Sequence, residues 1–226
     1  MQRKLILTND GSHSVEIPEM NLTFHSIHGA IRESKHVFIQ EGLLHFINRT
    51  PKDVVSIFEV GLGTGLNALL TAIEIEKLGK KVYYEAVELF PLEIDLSQSL
   101  NYCEQLEQNE LKPMFEQIHT CVWETEITIR PGFVLRKIKK NLLNFEVSAT
   151  FDLIYFDAFA PNEQPELWTK EIFDKMLSLL SSGGILVTYS SKGSVQRTMR
   201  SSGFKVEKIP GPPGKREMIR ASALND

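Results

Sequence analysis

Two short stretches carry side chains whose types and spacing could do chemistry. In Glu59-Val60-Gly61-Leu62-Gly63-Thr64-Gly65-Leu66-Asn67, alternate glycines follow an apolar run; in Phe156-Asp157-Ala158-Phe159-Ala160-Pro161, an aspartate follows another. Glycines placed directly after a strand let the backbone approach a ligand beyond the strand's carboxyl end. The dinucleotide fingerprint would require a glycine at position 66, where Leu66 stands, and no lysine-bearing phosphate loop is present, so NAD and ATP fit poorly. Glu88 closes the next apolar run, where a carboxylate can accept hydrogen bonds from both hydroxyls of an adenosine ribose. A tight turn would explain each glycine alone and a solvated strand end would explain Glu88. Their coincidence suits an adenosine without phosphates, as in S-adenosylmethionine. Glu59 either binds the methionyl amine of such a ligand or orients the loop.

Asp157 ends its strand at the same sheet edge as Gly61, Gly63 and Gly65. An amine attacking a sulfonium methyl must be neutral and held in line with the breaking bond, so a carboxylate that accepts an amine hydrogen is useful there. A helix cap or turn is the bland alternative for this aspartate. Phe159 either stacks on a base or packs in the core.

Stepping outward from these residues, the elements that must position them alternate in type. Val54 to Val60 is a β-rich apolar run, Leu66 to Leu78 a helix, Lys81 to Glu88 a strand, Leu92 to Leu100 a helix and Glu126 to Arg130 a short strand. Leu135 to Leu143 is predicted as a basic amphipathic helix, Phe151 to Phe156 as a buried strand, and Leu167 to Leu180 as a helix closed by Gly183-Gly184. Ile185 to Tyr189, Phe204 to Ile209 and Arg216 to Ala221 complete the strands, with a helix from Val195 to Ser201. This alternation predicts a doubly wound, mainly parallel seven-stranded sheet covered on both faces, over residues 33–226. Residues 1–32 predict a small β appendage: Lys4 to Thr8, Val15 to Ile17 and Leu22 to Phe24, with a hairpin signal at Asn9-Asp10-Gly11. Glu33 to Ile47 reads as an imperfect amphipathic helix with Gly42 as a weak spot.

Composition is that of an ordinary globular chain: 226 residues, 42% hydrophobic and 24% charged. No apolar run approaches the roughly 20 residues that cross a bilayer, and Met1-Gln2-Arg3-Lys4 with Leu5-Ile6-Leu7 does not read as a signal peptide, so a cytoplasmic protein is expected. Cys103 and Cys121 are too few for a disulfide scaffold, and no helical metal-ligand pattern occurs among the histidines, so no metal is expected. The net charge of −4 does not advertise nucleic-acid binding. The C-terminal quarter is nonetheless locally basic, with Lys192, Arg197, Arg200, Lys205, Lys208, Lys215, Arg216 and Arg220 against Glu207 and Glu217. A solvated helix face and a charged loop would account for these equally well.

With these residues in place, the chain resembles the methyltransferase half of the MnmC family, bacterial enzymes that finish 5-methylaminomethyl-2-thiouridine at the tRNA wobble position. The likeness rests on Glu33-Ser34-Lys35-His36-Val37-Phe38, on Glu59 through Asn67, on Phe156 through Pro161 with Pro165-Glu166-Leu167-Trp168, and on Lys215-Arg216-Glu217-Met218. It implies the class I S-adenosylmethionine-dependent methyltransferase fold. It also implies that Gly61, Gly63, Asn67 and Glu88 bind the cofactor, that Asp157 serves the reacting amine, and that Lys215 and Arg216 lie near the site. The expected reaction is methylation of the amine of 5-aminomethyl-2-thiouridine in the tRNA anticodon loop, with phosphate contacts from some of Lys192, Arg197, Lys215 and Arg216 and no obligate protein partner. Two departures stand out. The family often has a Gly-Asp pair after the third strand to contact adenine, where Arg130-Pro131-Gly132-Phe133 stands here; and many relatives continue into an FAD-dependent oxidase, so FAD chemistry is not expected. A small-molecule N-methyltransferase, a polyamine-synthase-like aminopropyltransferase and a non-catalytic RNA-binding protein are the competing readings.

Overall fold

Short β-prone runs separated by turn residues form the first layer. Lys4–Leu7 (β1), His13–Ile17 (β2) and Leu22–Thr23 (β3) pair antiparallel in the order β1-β2-β3. The computed structural model describes residues 2–146 and 149–224, so Met1 of the polar start and Asp226 lie outside the described residues. The expected hairpin turn is present, with Gly11 in the left-handed region (φ 81°). The Asp10 carboxylate within it accepts the backbone N–H of Arg32 at 3.0 Å, which ties the turn to the helical stretch 30–49. That stretch includes wide π-type turns over Lys35–Leu44. Gly42 is a point of close approach rather than a weak spot: a β-carbon there would lie 3.1 Å from Val187 and 3.2 Å from Tyr155.

The second layer is one large sheet. Val54–Val60 (β4), Lys81–Val87 (β5), Glu126–Arg130 (β6), Phe133–Ile138 (β7), Phe151–Phe156 (β8), Leu180–Thr188 (β9), Phe204–Pro210 (β10) and Glu217–Ala223 (β11) lie in the order β10-β11-β9-β8-β4-β5-β7-β6. The pairs from β9 across β8, β4 and β5 to β7 are parallel, and the outer pairs are antiparallel. Hydrophobic clusters fill both faces, one around Leu69, Tyr84 and Tyr155, the other around Phe58, Phe156 and Phe173. Every residue of β8 is buried, Asp152 included, as expected of a mainly apolar central strand covered on both sides. This is the expected doubly wound α/β architecture with its small N-terminal β sheet.

The segment expected to be a helix over Leu135 to Leu143 is instead β7 followed by a short turn at Leu142–Asn144, which makes the sheet eight-stranded rather than seven-stranded. Its lysines suggested a solvated helical face, yet Lys137 is fully buried, donating to the His119 carbonyl at 2.5 Å and lying 4.6 Å from the Trp123 ring centroid. A period of two, with Phe133, Leu135 and Lys137 inward, was masked by that one buried charge. Consequently Glu126–Arg130 is an antiparallel edge and not the third parallel strand. Gly183 and Gly184 belong to β9, at an irregularity in its pairing with β8, while the preceding helix spans Lys170–Leu179. The helix Lys112–Thr120 has no counterpart in the sequence reading.

Candidate active site

Strand order reverses between β4 and β8, since the chain steps from β4 outward to β5 and then returns to β8 on the other side. The carboxyl ends of strands at such a switch point splay apart and leave a crevice. The glycine loop leaves β4 and Asp157 leaves β8, so the two stretches singled out by their chemistry meet there. Gly61 N–H donates to the Val87 carbonyl (2.9 Å) and Asp157 N–H to the Val60 carbonyl (3.1 Å). Gly61 has φ 86°, and a β-carbon on it would lie 2.9 Å from the Asp157 carbonyl oxygen, so any side chain would push the two loops apart. Gly63 N–H donates to Glu88 Oε2 at 3.1 Å, while Glu88 Oε1 accepts Phe90 N–H at 2.8 Å. The strand end is therefore bound to the loop rather than merely solvated.

At the second position of the helix Leu66–Lys77, Asn67 projects back under the loop. Its amide Nδ2 donates to Glu59 Oε1 and to Asp157 Oδ2, both at 2.9 Å, so a single NH2 group bridges two carboxyls. Glu59 is fully buried, and its Oε2 and the Asn67 Oδ1 have no partner among the described residues. The Tyr84 hydroxyl faces Glu59 without a well-formed hydrogen bond. Burial raises the Glu59 carboxyl well above its ordinary value, against the Asn67 hydrogen bond and together with the nearby Asp157 charge. Asp157 borders the cavity but is enclosed by protein on its other sides. Desolvation and the Glu33 charge raise its carboxyl to about 7, with the Asn67 hydrogen bond and Lys215 opposing. Lys215 Nζ donates to Glu33 Oε1 at 2.6 Å and stands 3.8 Å from the Tyr189 ring centroid.

These groups border a cavity of about 1100 Å³. Of the residues singled out in the sequence, Gly61, Gly63, Asn67, Glu88, Asp157, Phe159 and Lys215 line it, whereas Glu59 and Gly65 stand behind the lining. Gly65 instead starts the helix, and a β-carbon there would meet His119 Nε2 at 2.9 Å. Lys192 and Arg216 are exposed and lie outside the lining. The cavity also brings in residues to which no role was given: Phe24, whose ring meets that of Phe159 edge to face at 5.2 Å, Glu33, and the run Lys139-Lys140-Asn141 after β7. The last of these was legible in principle. Reading β7 as a strand places Lys139-Lys140-Asn141 at the carboxyl end beside β5. Arg130-Pro131-Gly132 turns at the opposite edge, where Gly132 accepts from Val82 N–H near the start of β5.

A glycine loop, a strand-end acid and buried carboxyls thus meet at the switch point of a doubly wound sheet. The profile described as S-adenosyl-L-methionine-dependent methyltransferase matches residues 99–224. The chain belongs to that family. Within it, the chain is 28% identical over 210 residues to the tRNA 5-methylaminomethyl-2-thiouridine biosynthesis bifunctional protein MnmC of Methylobacillus flagellatus, covering 87% of this chain and 32% of that protein. It is 32% identical over 213 residues to the MnmC protein of Pseudoalteromonas atlantica, covering 87% of this chain and 30% of that one. The chain thus spans about a third of the length of these relatives and corresponds to their methyltransferase domain. The crystal structure of MNMC2 from Aquifex aeolicus has the same fold, with a TM-score of 0.80 and 24% identity over 100% of this chain and 71% of that chain. Among the described residues no helix is long and apolar enough to cross a membrane, and no group of three or more His, Cys, Asp or Glu is placed to hold a metal ion.

Proposed function

We propose that this protein transfers a methyl group from S-adenosylmethionine to the exocyclic amine of 5-aminomethyl-2-thiouridine at the wobble position of tRNA, in the cytoplasm. The observation that carries the reading is the Asp157–Asn67–Glu59 bridge beside the glycine loop: a carboxylate with spare acceptor capacity at the cavity wall, backed by buried polar atoms without partners. These residues fit the cofactor, because Gly61 and Gly63 line the cavity and Glu59 Oε2 and Asn67 Oδ1 are uncommitted acceptors. S-adenosylmethionine supplies, when bound, a methyl group activated by its sulfonium. Gly61, Gly63 and Gly65 shape the loop that receives it, Glu88 offers carboxylate oxygens to the ribose, and Asn67 orients Glu59. Lys139-Lys140-Asn141, at the cavity wall, would border the adenine.

Asp157 accepts a hydrogen of the incoming amine and leaves its lone pair free to attack. With a carboxyl near neutrality, it can take a proton and release it again within the physiological range. Phe159, held against Phe24, offers a ring face to the pyrimidine. A wobble base already lies in a loop, so seating it costs less than extruding a paired base. Lys192 and Arg216 at the surface, with Lys215 at the wall, contact the phosphates.

The test is transfer of labelled methyl to tRNA carrying 5-aminomethyl-2-thiouridine, against tRNA lacking that amine and against free aliphatic amines. Label confined to the amine-bearing tRNA is expected. Label on free amines and none on tRNA would replace the reading with a small-molecule N-methyltransferase.

A further inference from the structure

Three consecutive residues leaving the small N-terminal sheet touch both halves of the site. The Phe24 ring covers the glycine loop, where a β-carbon on Gly63 would come within 3.2 Å of it, and also meets Phe159. His25 Nε2 and Thr64 Oγ1 share a hydrogen bond of 2.7 Å, with both residues nearly excluded from solvent. Ser26 N–H donates to Glu33 Oε2 at 2.8 Å, and the other oxygen of that carboxyl holds Lys215.

Thr64 is the one residue of Gly61-Leu62-Gly63-Thr64-Gly65 whose side chain can hydrogen-bond. All three glycines there sit at positive φ, so the loop has much conformational freedom to lose when it closes on a ligand. Thr64 is held from two sides: His25 takes its hydroxyl, and His119 Nε2 donates to its carbonyl at 3.1 Å. Burial lowers both imidazoles to about 4, so both are neutral near pH 7 and each hydrogen bond persists there. The His25 backbone N–H donates to Ser14 Oγ of β2 at 3.0 Å, which anchors this clamp in the N-terminal sheet.

We propose that His25 is a positioning residue of the glycine loop: by holding Thr64 it keeps Gly63 N–H on Glu88 and thereby sets the affinity for an S-adenosyl ligand. The N-terminal sheet is then a working part of the cofactor site. A loop already held in its binding geometry loses less freedom when the ligand arrives, and binds it more tightly. The inference rests on the cofactor lying against the glycine loop, as proposed above, and is independent of the acceptor.

Calorimetric titration of the full chain with S-adenosylhomocysteine tests it without turnover. His25→Ala and Thr64→Val should each raise Kd about tenfold, and the double variant should be no worse than either single one, because both remove the same bond. His25→Gln should recover most of the affinity, and KM for tRNA should be unchanged in all variants. Should His25→Ala fail to fold, Thr64→Val removes the same bond with a side chain of nearly the same shape. Unchanged Kd in the variants, or effects that add, would overturn the positioning role while leaving the cofactor's location intact. A wild-type chain that bound no S-adenosylhomocysteine would remove the cofactor placement itself and the inference with it.

Discussion

Two aspartates stand in the same local context about strand β8, Phe151-Asp152 at its start and Phe156-Asp157 just past its end, and the molecule treats them in opposite ways. Asp152 is saturated. Its oxygens accept from Lys52 Nζ at 2.6 Å, from Ser56 N–H and Oγ at 3.1 Å each, and from Ser181 Oγ at 2.8 Å. Burial pushes its carboxyl upward, but those donors outweigh it and hold the group below its ordinary value. Asp157 receives Asn67 Nδ2 alone among the described side chains, faces a cavity, and is raised to about 7. A carboxylate whose donors are all supplied by the protein fastens strands together. One left short of donors beside a cavity is available to a ligand.

The sharpest way to break the comparison is to remove each charge. Asp157→Asn keeps the shape and should lower turnover about 10³-fold, the range expected for loss of a proton acceptor, with S-adenosylhomocysteine binding retained in the same calorimetric assay. Wild-type kcat/KM should fall as pH drops through about 7, because the carboxylate is the accepting form; full turnover in the asparagine variant, or a flat wild-type profile, would end the assignment. Asp152→Ala should cost about 2 kcal/mol of stability, since it leaves the part-buried Ser56 N–H without its acceptor, and leave turnover of the folded protein near wild type. Urea unfolding and labelled-methyl transfer on one preparation check both halves.

The pH dependence of stability should separate the two aspartates by sign. The Asp157 carboxyl is raised on folding, so its contribution is fully present below the ordinary carboxyl value and is lost as pH rises through about 7. The Asp152 carboxyl is lowered, so its contribution is present above the ordinary value and lost as pH falls through the depressed one. Stability of the wild type relative to Asp157→Asn should therefore decline between pH 5 and pH 8 in urea titrations. The smallest effect is expected farthest from the strand: Lys192→Ala and Arg216→Ala should each lower the slope of tRNA affinity against salt by about one, measured by filter binding across salt concentrations. An unchanged slope would remove those side chains from the phosphate contacts.

Much of the fold was legible because the signals are local. The run Val54 to Val60, the glycines after it and the helix after them announce strand, loop and helix from neighbours in sequence alone, and Asp157 is marked by its place at the end of an apolar run. Leu135 to Leu143 misled because a lysine ordinarily argues for solvent, and only the His119 carbonyl and the Trp123 ring, supplied from elsewhere, make Lys137 a core residue. Phe24 and His25 gave no local sign of a role, since their partners Gly63, Thr64 and Phe159 come from the loops that follow β4 and β8 and not from their own sheet.

By itself the sequence determined most of the succession of strands and helices, the glycine loop after the first long strand, and the presence of an acid at each of two strand ends, because periodicity and glycine chemistry act between residues close in the chain. Tertiary structure alone decided which acid is saturated and which is left open, which lysine is core, and that Glu33 and Lys215, 182 positions apart, would form one pair beside Asp157. Hydrogen-bond supply and desolvation are properties of the assembled neighbourhood, and a neighbourhood drawn from distant segments exists only once the chain has folded.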